Sequence, residues 1–520
     1  MMMANFKNSR FYTLWTITWI VLVAAGSLQA QETETMAWPS FRAFIDTLTA
    51  TATIDDGALR QQRLDTLWQS LLAENRVPFV LGDSVAFLYR GQAESVHWTG
   101  DFNRWGGESG FDNRGQRVGA SDVWLLCAQF PTNARLDYKI VLNGSQWILD
   151  PANPFVQWGG YGPNSELRMP AWLYPQETLR SPGIAQGSLS APIALSSAHL
   201  GYKVNIRVYT PAVGQEMGEL PVLYITDGHE YADARLGAVP VVLDNLIADG
   251  RVEPVLAVFI DPRNPENPDE NRRMQEYNLN PRFADFVAQE LTAYIDSTYR
   301  TRADADGRAI LGTSMGGLFA AYLGTRHTDR FHLLGIQSPA FSYNHQIYSL
   351  YAGAAVMPLR IAMTTGVIHD TEEGARRMHK VLSDKGYAFD YREVNESHSW
   401  GNWRALVDEI LLYFWGGENS VGRSDSDNSA RPATFQVCGN YPNPFNEQTT
   451  IEFSVRHGQN LSLVVYDLLG RRAQTVFQHS YFAPGSYRAA VGTADWPSGI
   501  YSYCLQGSGE RRSGRLTCIK

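Results

Sequence analysis

The sequence predicts an α/β protein, a doubly wound and mostly parallel sheet flanked on either side by an all-β unit. Three observations predict it. Residues 188–416 alternate strand-like and helix-like runs, the pattern of a parallel sheet covered on both faces. Residues 79–172 carry short strand-like runs separated by turn residues, the pattern of a small β-sandwich. Residues 435–520 turn β-rich again, after a stretch with almost no large apolar side chain. At 520 residues the chain is too long for a single core.

Taken in order, residues 1–30 read as a secretory signal. Lys7 and Arg10 start it, Leu14 to Ala25 is an apolar run short for a membrane span, and Ser27-Leu28-Gln29-Ala30 offers small residues for cleavage. An uncleaved anchor is the alternative. Residues 31–78 read as a helical segment, with Leu59, Leu64, Leu67 and Leu71 at helical spacing. In the sandwich, strand-like runs fall at Val85 to Tyr89, Ser95 to Trp98, Val123 to Leu126 and Tyr138 to Leu142, with Asn143-Gly144 as a turn. Cys127 follows Trp124-Leu125-Leu126 and reads as a buried strand residue.

Within 188–416, Val204 to Tyr209, Val222 to Thr226 and Val255 to Ile260 read as strands, and Val239 to Ala248 as a helix. Phe283, Phe286, Val287, Leu291, Tyr294 and Ile295 mark one face of another helix. Leu333 to Gln337 and Leu359 to Thr364 supply later strands. Residues 417–434, rich in Gly, Ser, Asp and Asn, read as a flexible linker. In the final unit, Ile451 to Val455, Leu461 to Tyr466 and Ile500 to Leu505 read as strands.

Composition narrows the function. Removing residues 1–30 takes away Lys7 and Arg10 and moves the net charge from −9 to −11. An acidic surface repels nucleic acid and anionic membranes, and no basic arm is present. After signal cleavage no apolar run approaches membrane length, so no integral span is expected. The four cysteines, Cys127, Cys438, Cys504 and Cys518, form no C-x-x-C pair, which leaves zinc and redox motifs unsupported. The reading needs no metal and no cofactor. Aromatics are abundant at 12%, a usage common in secreted proteins that handle sugars.

One motif carries the chemistry. Gly312-Thr313-Ser314-Met315-Gly316 is a G-x-S-x-G pentapeptide, entered by the apolar strand Ala309-Ile310-Leu311 and left by a helix from Leu318 to Leu323. Its glycines permit a strained turn that lifts the Ser314 hydroxyl out of the sheet. The helix N-terminus beneath favours negative charge. A serine nucleophile needs a base, and that base an orienting acid. In the α/β-hydrolase arrangement the chain order is serine, acid, histidine. His398 follows a strand and precedes the final helix, and reads as the base; a surface loop histidine is the plainer alternative. Asp370, in the loop after Met363-Thr364-Thr365-Gly366, reads as the acid. Glu372 and Glu373 compete with it, and an N-cap role is the plainer alternative for Asp370. Backbone N–H groups at Met315 and in the region of Gly228 and His229 are the expected oxyanion donors. His229 could instead line the pocket.

Residues 188–416 resemble the esterase family that contains enterochelin esterases and feruloyl or acetylxylan esterases. The resemblance rests on Tyr224-Ile225-Thr226-Asp227-Gly228, Arg273-Met274-Gln275-Glu276-Tyr277, Gly312 through Gly317 and His398-Ser399-Trp400. It implies an α/β-hydrolase fold, Ser314 as nucleophile, His398 as base and Asp370 as acid. It makes Arg273, Glu276, Tyr277 and Trp400 substrate-side candidates, with a simple ion pair as the alternative for Arg273 and Glu276. Residues 79–172 resemble the carbohydrate-binding modules of glycogen-debranching enzymes, through Gly100-Asp101-Phe102-Asn103-Arg104-Trp105 and Tyr138-Lys139 leading to Asp150-Pro151. That resemblance implies glycan binding, although Trp98, Trp105, Trp124 and Trp147 each read as core rather than sugar platform. The tail resembles type IX secretion sorting domains, through Asn440-Tyr441-Pro442-Asn443-Pro444-Phe445-Asn446, Gly499 to Tyr503 and Gly514-Arg515-Leu516. This implies a partner in the outer-membrane secretion machinery, and a secreted or cell-surface location reached through the periplasm.

The expectation is therefore an exported serine carboxylesterase acting on feruloyl or acetyl esters of polysaccharide. A siderophore lactone esterase and an acyltransferase on the same fold are the rival enzymes. A catalytically dead glycan-binding surface protein is the rival from another class.

Overall fold

The computed structural model describes residues 38–107, 110–212, 218–416, 435–441, 443–455, 459–467, 472–482, 485–492, 496–507 and 510–520. The segments read as a signal (1–30) and as a linker (417–434) lie outside the described residues.

Two helices, Phe41–Ala52 and Gly57–Ala73, stand where one helical segment was expected. Ser40 and Asp56 cap them, each side-chain oxygen accepting from backbone N–H groups of the first turn that no helical carbonyl can reach. Their apolar faces, with Phe44, Leu48, Leu64, Leu67 and Leu71, cover Phe79, Ala86 and Leu88.

Those last residues belong to an antiparallel sheet ordered Phe79–Leu81, Ser84–Arg90, Val123–Gln129, Gln116–Arg117. A second antiparallel sheet is ordered Val96–Gly100, Arg135–Leu142, Gly162–Arg168, Val156–Gly159, with Gln146–Ile148 beside Arg135–Leu142. Alternation along Ser84–Arg90 sends Val85 and Phe87 to the opposite face from Ala86 and Leu88. Val85 and Phe87 meet Trp98, Tyr138 and Ile140 of the second sheet in one shared core. Trp98 and Trp124 are buried there, whereas Trp105 is half-buried and Trp147 is 51% exposed. Cys127 corrects the sequence reading: it lies on a strand but on its exposed side, because Leu126 beside it faces inward.

The largest sheet has nine strands. Its order is Ser188–Leu189, Lys203–Thr210, Leu256–Asp261, Val222–Ile225, Arg308–Thr313, Leu333–Gln337, Arg360–Gly366, Phe389–Val394, with Ile193–Ser196 also on Lys203–Thr210. From Leu256–Asp261 to Phe389–Val394 all neighbours run parallel, and Lys203–Thr210 joins antiparallel. Apolar clusters cover both faces, with Tyr224 and Ile310 on one and Leu223 and Leu311 on the other. The chain passes from Val222–Ile225 to Leu256–Asp261 on one side, then to Arg308–Thr313 on the other. The strand order therefore reverses around Val222–Ile225. In parallel sheets a ligand crevice opens at such a reversal, outside the carboxyl ends of the strands.

At the C-terminus, Phe435–Tyr441, Gln448–Val455 and Gly485–Gly492 form a three-stranded sheet. Arg472–Phe482, Gln459–Tyr466, Gly499–Gly507 and Glu510–Cys518 form a four-stranded one. Both are antiparallel and share a core containing Phe453, Leu463, Val491 and Leu505.

Candidate active site

Ser314 sits at the reversal point, between the strand Arg308–Thr313 and the helix Met315–Arg326. Its backbone is left-handed (φ 57°, ψ −117°), a conformation that costs a non-glycine residue energy and recurs where a side chain must be presented. The flanking glycines are forced by space. A Cβ at Gly312 would lie 2.3 Å from the Gly316 carbonyl oxygen, and one at Gly316 would lie 2.2 Å from the Thr226 hydroxyl. The turn is anchored by Ser314 N–H donating to the Gln337 carbonyl at 2.9 Å.

His398 lies in the loop after Phe389–Val394, with Nε2 3.0 Å from Ser314 Oγ and Nδ1 2.6 Å from Asp370 Oδ1. Its ring stands edge-on to Trp403, 4.9 Å away. The Asp370 side chain is fully buried, in the loop after Arg360–Gly366. Its other oxygen, Oδ2, accepts from the Ser338 hydroxyl and the Gly366 N–H, both at 2.6 Å. The Asn402 amide adds a longer contact of 3.4 Å. One carboxylate thus takes several donors and a single imidazole. Glu372 and Glu373 open the next helix, Glu372–Lys385, whereas the polar partners of the His398 ring among the described residues are Asp370 and Ser314.

The loop after Val222–Ile225 presses on the serine turn through Thr226 and Asp227. Asp227 is left-handed (φ 50°) and buried, and its carboxylate takes a bidentate bond from Arg273 at 2.8 and 2.9 Å. Arg273 also donates to the Thr313 carbonyl, beside Ser314, at 3.3 Å. The Tyr277 hydroxyl accepts from Asp227 N–H at 3.0 Å. Gly228 and His229 therefore open the short helix Gly228–Tyr231 next to the start of the serine helix at Met315. Their N–H groups belong to first turns, which no helical carbonyl reaches. A Cβ at Gly228 would lie 2.4 Å from the backbone of Ile260, so only glycine fits. Burial holds the His229 imidazole below its ordinary range.

The other substrate-side candidates are set deep. Glu276 accepts from the Tyr202 hydroxyl at 2.9 Å and is 1% exposed; Tyr277 is fully buried. Trp400 is 4% exposed and packs on Tyr231 and Trp403. Sequence reading passed over Glu230, which is half-buried in the same short helix. Burial, then the charge of Asp227, pushes its carboxyl up to about 7. The turn at Gly160, between two strands of the N-terminal unit, reaches it: a Cβ there would lie 3.0 Å from Glu230. It also passed over Ser338, Asn402 and Trp403, none of which stands in a recognisable motif.

A strained serine, an imidazole and a buried carboxylate in hydrogen-bonded series can generate an alkoxide-like nucleophile without a metal. The comparisons agree with ester chemistry. Residues 197–357 match the Esterase family, described as "Putative esterase", and residues 440–518 match the secretion system C-terminal sorting domain. The chain is 25% identical over 344 residues to an iron(III) enterobactin esterase of Escherichia coli, covering 58% of this chain and 81% of that protein. It is 29% identical over 133 residues to an endo-1,4-beta-xylanase/feruloyl esterase of Xylanibacter ruminicola. That match covers 25% of this chain and 18% of the relative, so the chain spans under a fifth of that protein's length. Among solved structures, the enterobactin esterase of Shigella flexneri superposes with a TM-score of 0.53 at 23% identity, covering 64% of this chain and 92% of that one. The ferric enterobactin esterase of Salmonella typhimurium gives 0.55 at 20% identity, over 64% and 93%. The chain thus carries a domain that matches an esterase family, on a sheet that shares the fold of the enterobactin esterases, and a C-terminal segment that matches a secretion sorting domain, which indicates secretion or the cell surface.

Proposed function

We propose that the protein is an exported serine carboxylesterase whose triad is Ser314, His398 and Asp370. The observation that carries the reading is the unbroken series Ser314 Oγ, His398 Nε2, His398 Nδ1, Asp370 Oδ1, with gaps of 3.0 and 2.6 Å. Ser314 Oγ attacks the ester carbonyl while His398 Nε2 takes its proton. Asp370 fixes the tautomer with hydrogen on Nδ1 and stabilises the imidazolium. The N–H of Met315, with that of Gly228 or His229, holds the oxyanion. The tetrahedral adduct collapses, His398 returns the proton to the departing alkoxide, and an acyl-serine remains. Water, deprotonated by His398, releases the acid.

In this reading residues 79–172 and 435–520 are β-sandwich modules on either side of a hydrolase domain at 188–416, joined to the tail by the linker at 417–434. Export and a sugar-handling composition favour feruloyl or acetyl esters of polysaccharide as substrates. A second reading, a cyclic siderophore lactone, is favoured by a different observation. The fold likeness to enterobactin esterases covers 64% of the chain, more than residues 188–416 alone supply. Release assays on feruloylated xylan, acetylated xylan and a trilactone siderophore, run side by side, separate the two. Turnover of none of these, together with no labelling of Ser314 by a fluorophosphonate, would end the serine-esterase reading.

A further inference from the structure

Arg135 is the first residue of the strand Arg135–Leu142 in the N-terminal two-sheet unit, and its side chain is fully buried. Two carboxylates of its own unit, Asp137 and Glu166, pair with it. The third arm of the guanidinium leaves the unit. Nη1 donates to Ser399 Oγ at 3.0 Å and lies 3.7 Å from Glu396 Oε2. Ser399 is the neighbour of His398 and the N-cap of the helix Trp400–Ala405.

Other contacts bracket the same loop. Arg135 N–H donates to the Asn395 carbonyl at 3.3 Å, and the Asn395 amide donates to Asn133 at 2.7 Å. The Trp172 indole donates to Glu396 at 3.0 Å. At Gly401 there is no room for a Cβ, because the Arg135 guanidinium carbon would lie 2.0 Å away. The Asp370 loop is caught as well. Ile368 packs against the core between the two N-terminal sheets, and its N–H donates to the Glu396 carbonyl at 3.1 Å. A loop of irregular backbone has few contacts of its own to fix it, so its position follows what it packs on. Here the Asn402 amide, which donates to the Ser397 carbonyl at 2.9 Å, supplies part of that support, and the rest comes from the N-terminal unit.

We propose that Arg135 is a positioning residue for His398, so that the N-terminal unit is part of the catalytic apparatus and not only an accessory to it. The proposal rests on the triad reading above. Arg135 touches neither substrate nor the reacting atoms; it acts through Ser399, Asn395 and Glu396. A displacement of about 1 Å in a catalytic base is enough to cost on the order of a hundredfold in rate.

The test uses the full chain and nitrophenyl acetate, an ester too small to reach across the N-terminal unit. Fluorophosphonate titration to completion counts competent serines, so turnover is expressed per titrated site. Arg135→Met is expected to lower kcat per site roughly 10- to 100-fold with KM within about threefold, and Arg135→Lys to restore part of it. Arg135→Met takes the cation away from three buried carboxylates, Asp137, Glu166 and Glu396, and risks unfolding. Ser399→Gly avoids this, because it leaves every ion pair intact and glycine is tolerated at an N-cap, while it deletes the acceptor of the Arg135 bond. It is expected to lower kcat per site about tenfold. Wild-type kcat per site in Ser399→Gly, or an effect confined to KM or to the number of titratable serines, would overturn the proposal. Failure of the triad reading looks different: the unaltered protein would not titrate at all.

Discussion

The Ser338 hydroxyl donates to Asp370 Oδ2 at 2.6 Å, on the side of the carboxylate away from His398. The Trp403 indole N–H donates in turn to Ser338 at 2.9 Å, and the same ring stands against His398. The Asp370 carboxylate is therefore oriented by a hydroxyl that is itself held by the indole standing against His398. Ser338→Ala removes one donor from Asp370 and leaves the buried indole N–H without its acceptor. A roughly tenfold fall in kcat is expected, with folding retained. A kcat on nitrophenyl acetate within twofold of wild type would show that the remaining donors, Gly366 with Asn402 and Thr365, suffice to aim the carboxylate.

The triad itself predicts strong non-additivity. Ser314→Ala should lose at least roughly a thousandfold in kcat, His398→Ala about as much, and the double variant little more, because the residues act as one unit. Asp370→Asn should cost less than either. If Glu372→Gln or Glu373→Gln damages kcat more than Asp370→Asn, the acid has been assigned to the wrong carboxylate.

Substitution of the glycines tests the turn. Gly312→Ala places a methyl against the backbone of Gly316, which cannot move without dismantling the elbow. Gly316→Ala places one against the Thr226 side chain instead, a group with more freedom to yield. We expect Gly312→Ala to be insoluble or inactive and Gly316→Ala to fold with severely reduced turnover. Circular dichroism with nitrophenyl acetate assays reads both. Near-native activity in Gly312→Ala would contradict the described backbone.

Stability should fall as pH rises through neutrality. Burial pushes Glu230, Glu276 and Glu396 up to about 7, Asp150 to about 6, and Asp101 and Glu409 to about 8. The unfolded chain releases these protons at about pH 4, so between about pH 4 and 8 the folded state holds more protons, and raising pH favours unfolding. His229 works the other way, since burial keeps it neutral in the fold while the unfolded chain protonates it below about pH 6.5. The carboxyls outnumber it. The melting temperature is expected to be a few degrees higher at about pH 6 than at about pH 8. A melting temperature that stayed level or rose over that range would mean that these groups find solvent in the native state.

Deleting residues 435–520 should leave kcat on a small ester unchanged and block arrival at the cell surface or in the medium. The motive is that the two C-terminal sheets close on a core of their own. A truncated protein that could not fold would show the tail to be a structural layer of the esterase.

The parts of the site that announce themselves in sequence are those with a backbone reason to be rare. Two glycines around a serine, after an apolar strand and before a helix, mark a turn that other residues cannot make. His398 was legible because it follows the last parallel strand. Asp370 was preferred over Glu372 and Glu373 for its place in the loop after a strand, and the fold adds a reason: those two start a helix, while Asp370 stays in the loop and meets His398. Asp227 looked like part of a motif and is in fact the partner that pins Arg273. Ser338 and Arg135 were invisible for a plainer reason. A strand-end serine and a strand arginine normally face water, and the partners that bury Arg135 lie 2, 31 and 264 positions away.

That last separation bears on when the protein becomes active. The ribosome completes the two-sheet unit and the serine turn long before it reaches His398 and Ser399. A nascent chain halted before Asn395 lacks His398 as well as Ser399 and should accordingly fail to react with a fluorophosphonate, although Ser314 is already made. On the proposed triad, hydrolytic capacity is withheld from the growing polypeptide and conferred late, when the strand made early and the loop made late meet.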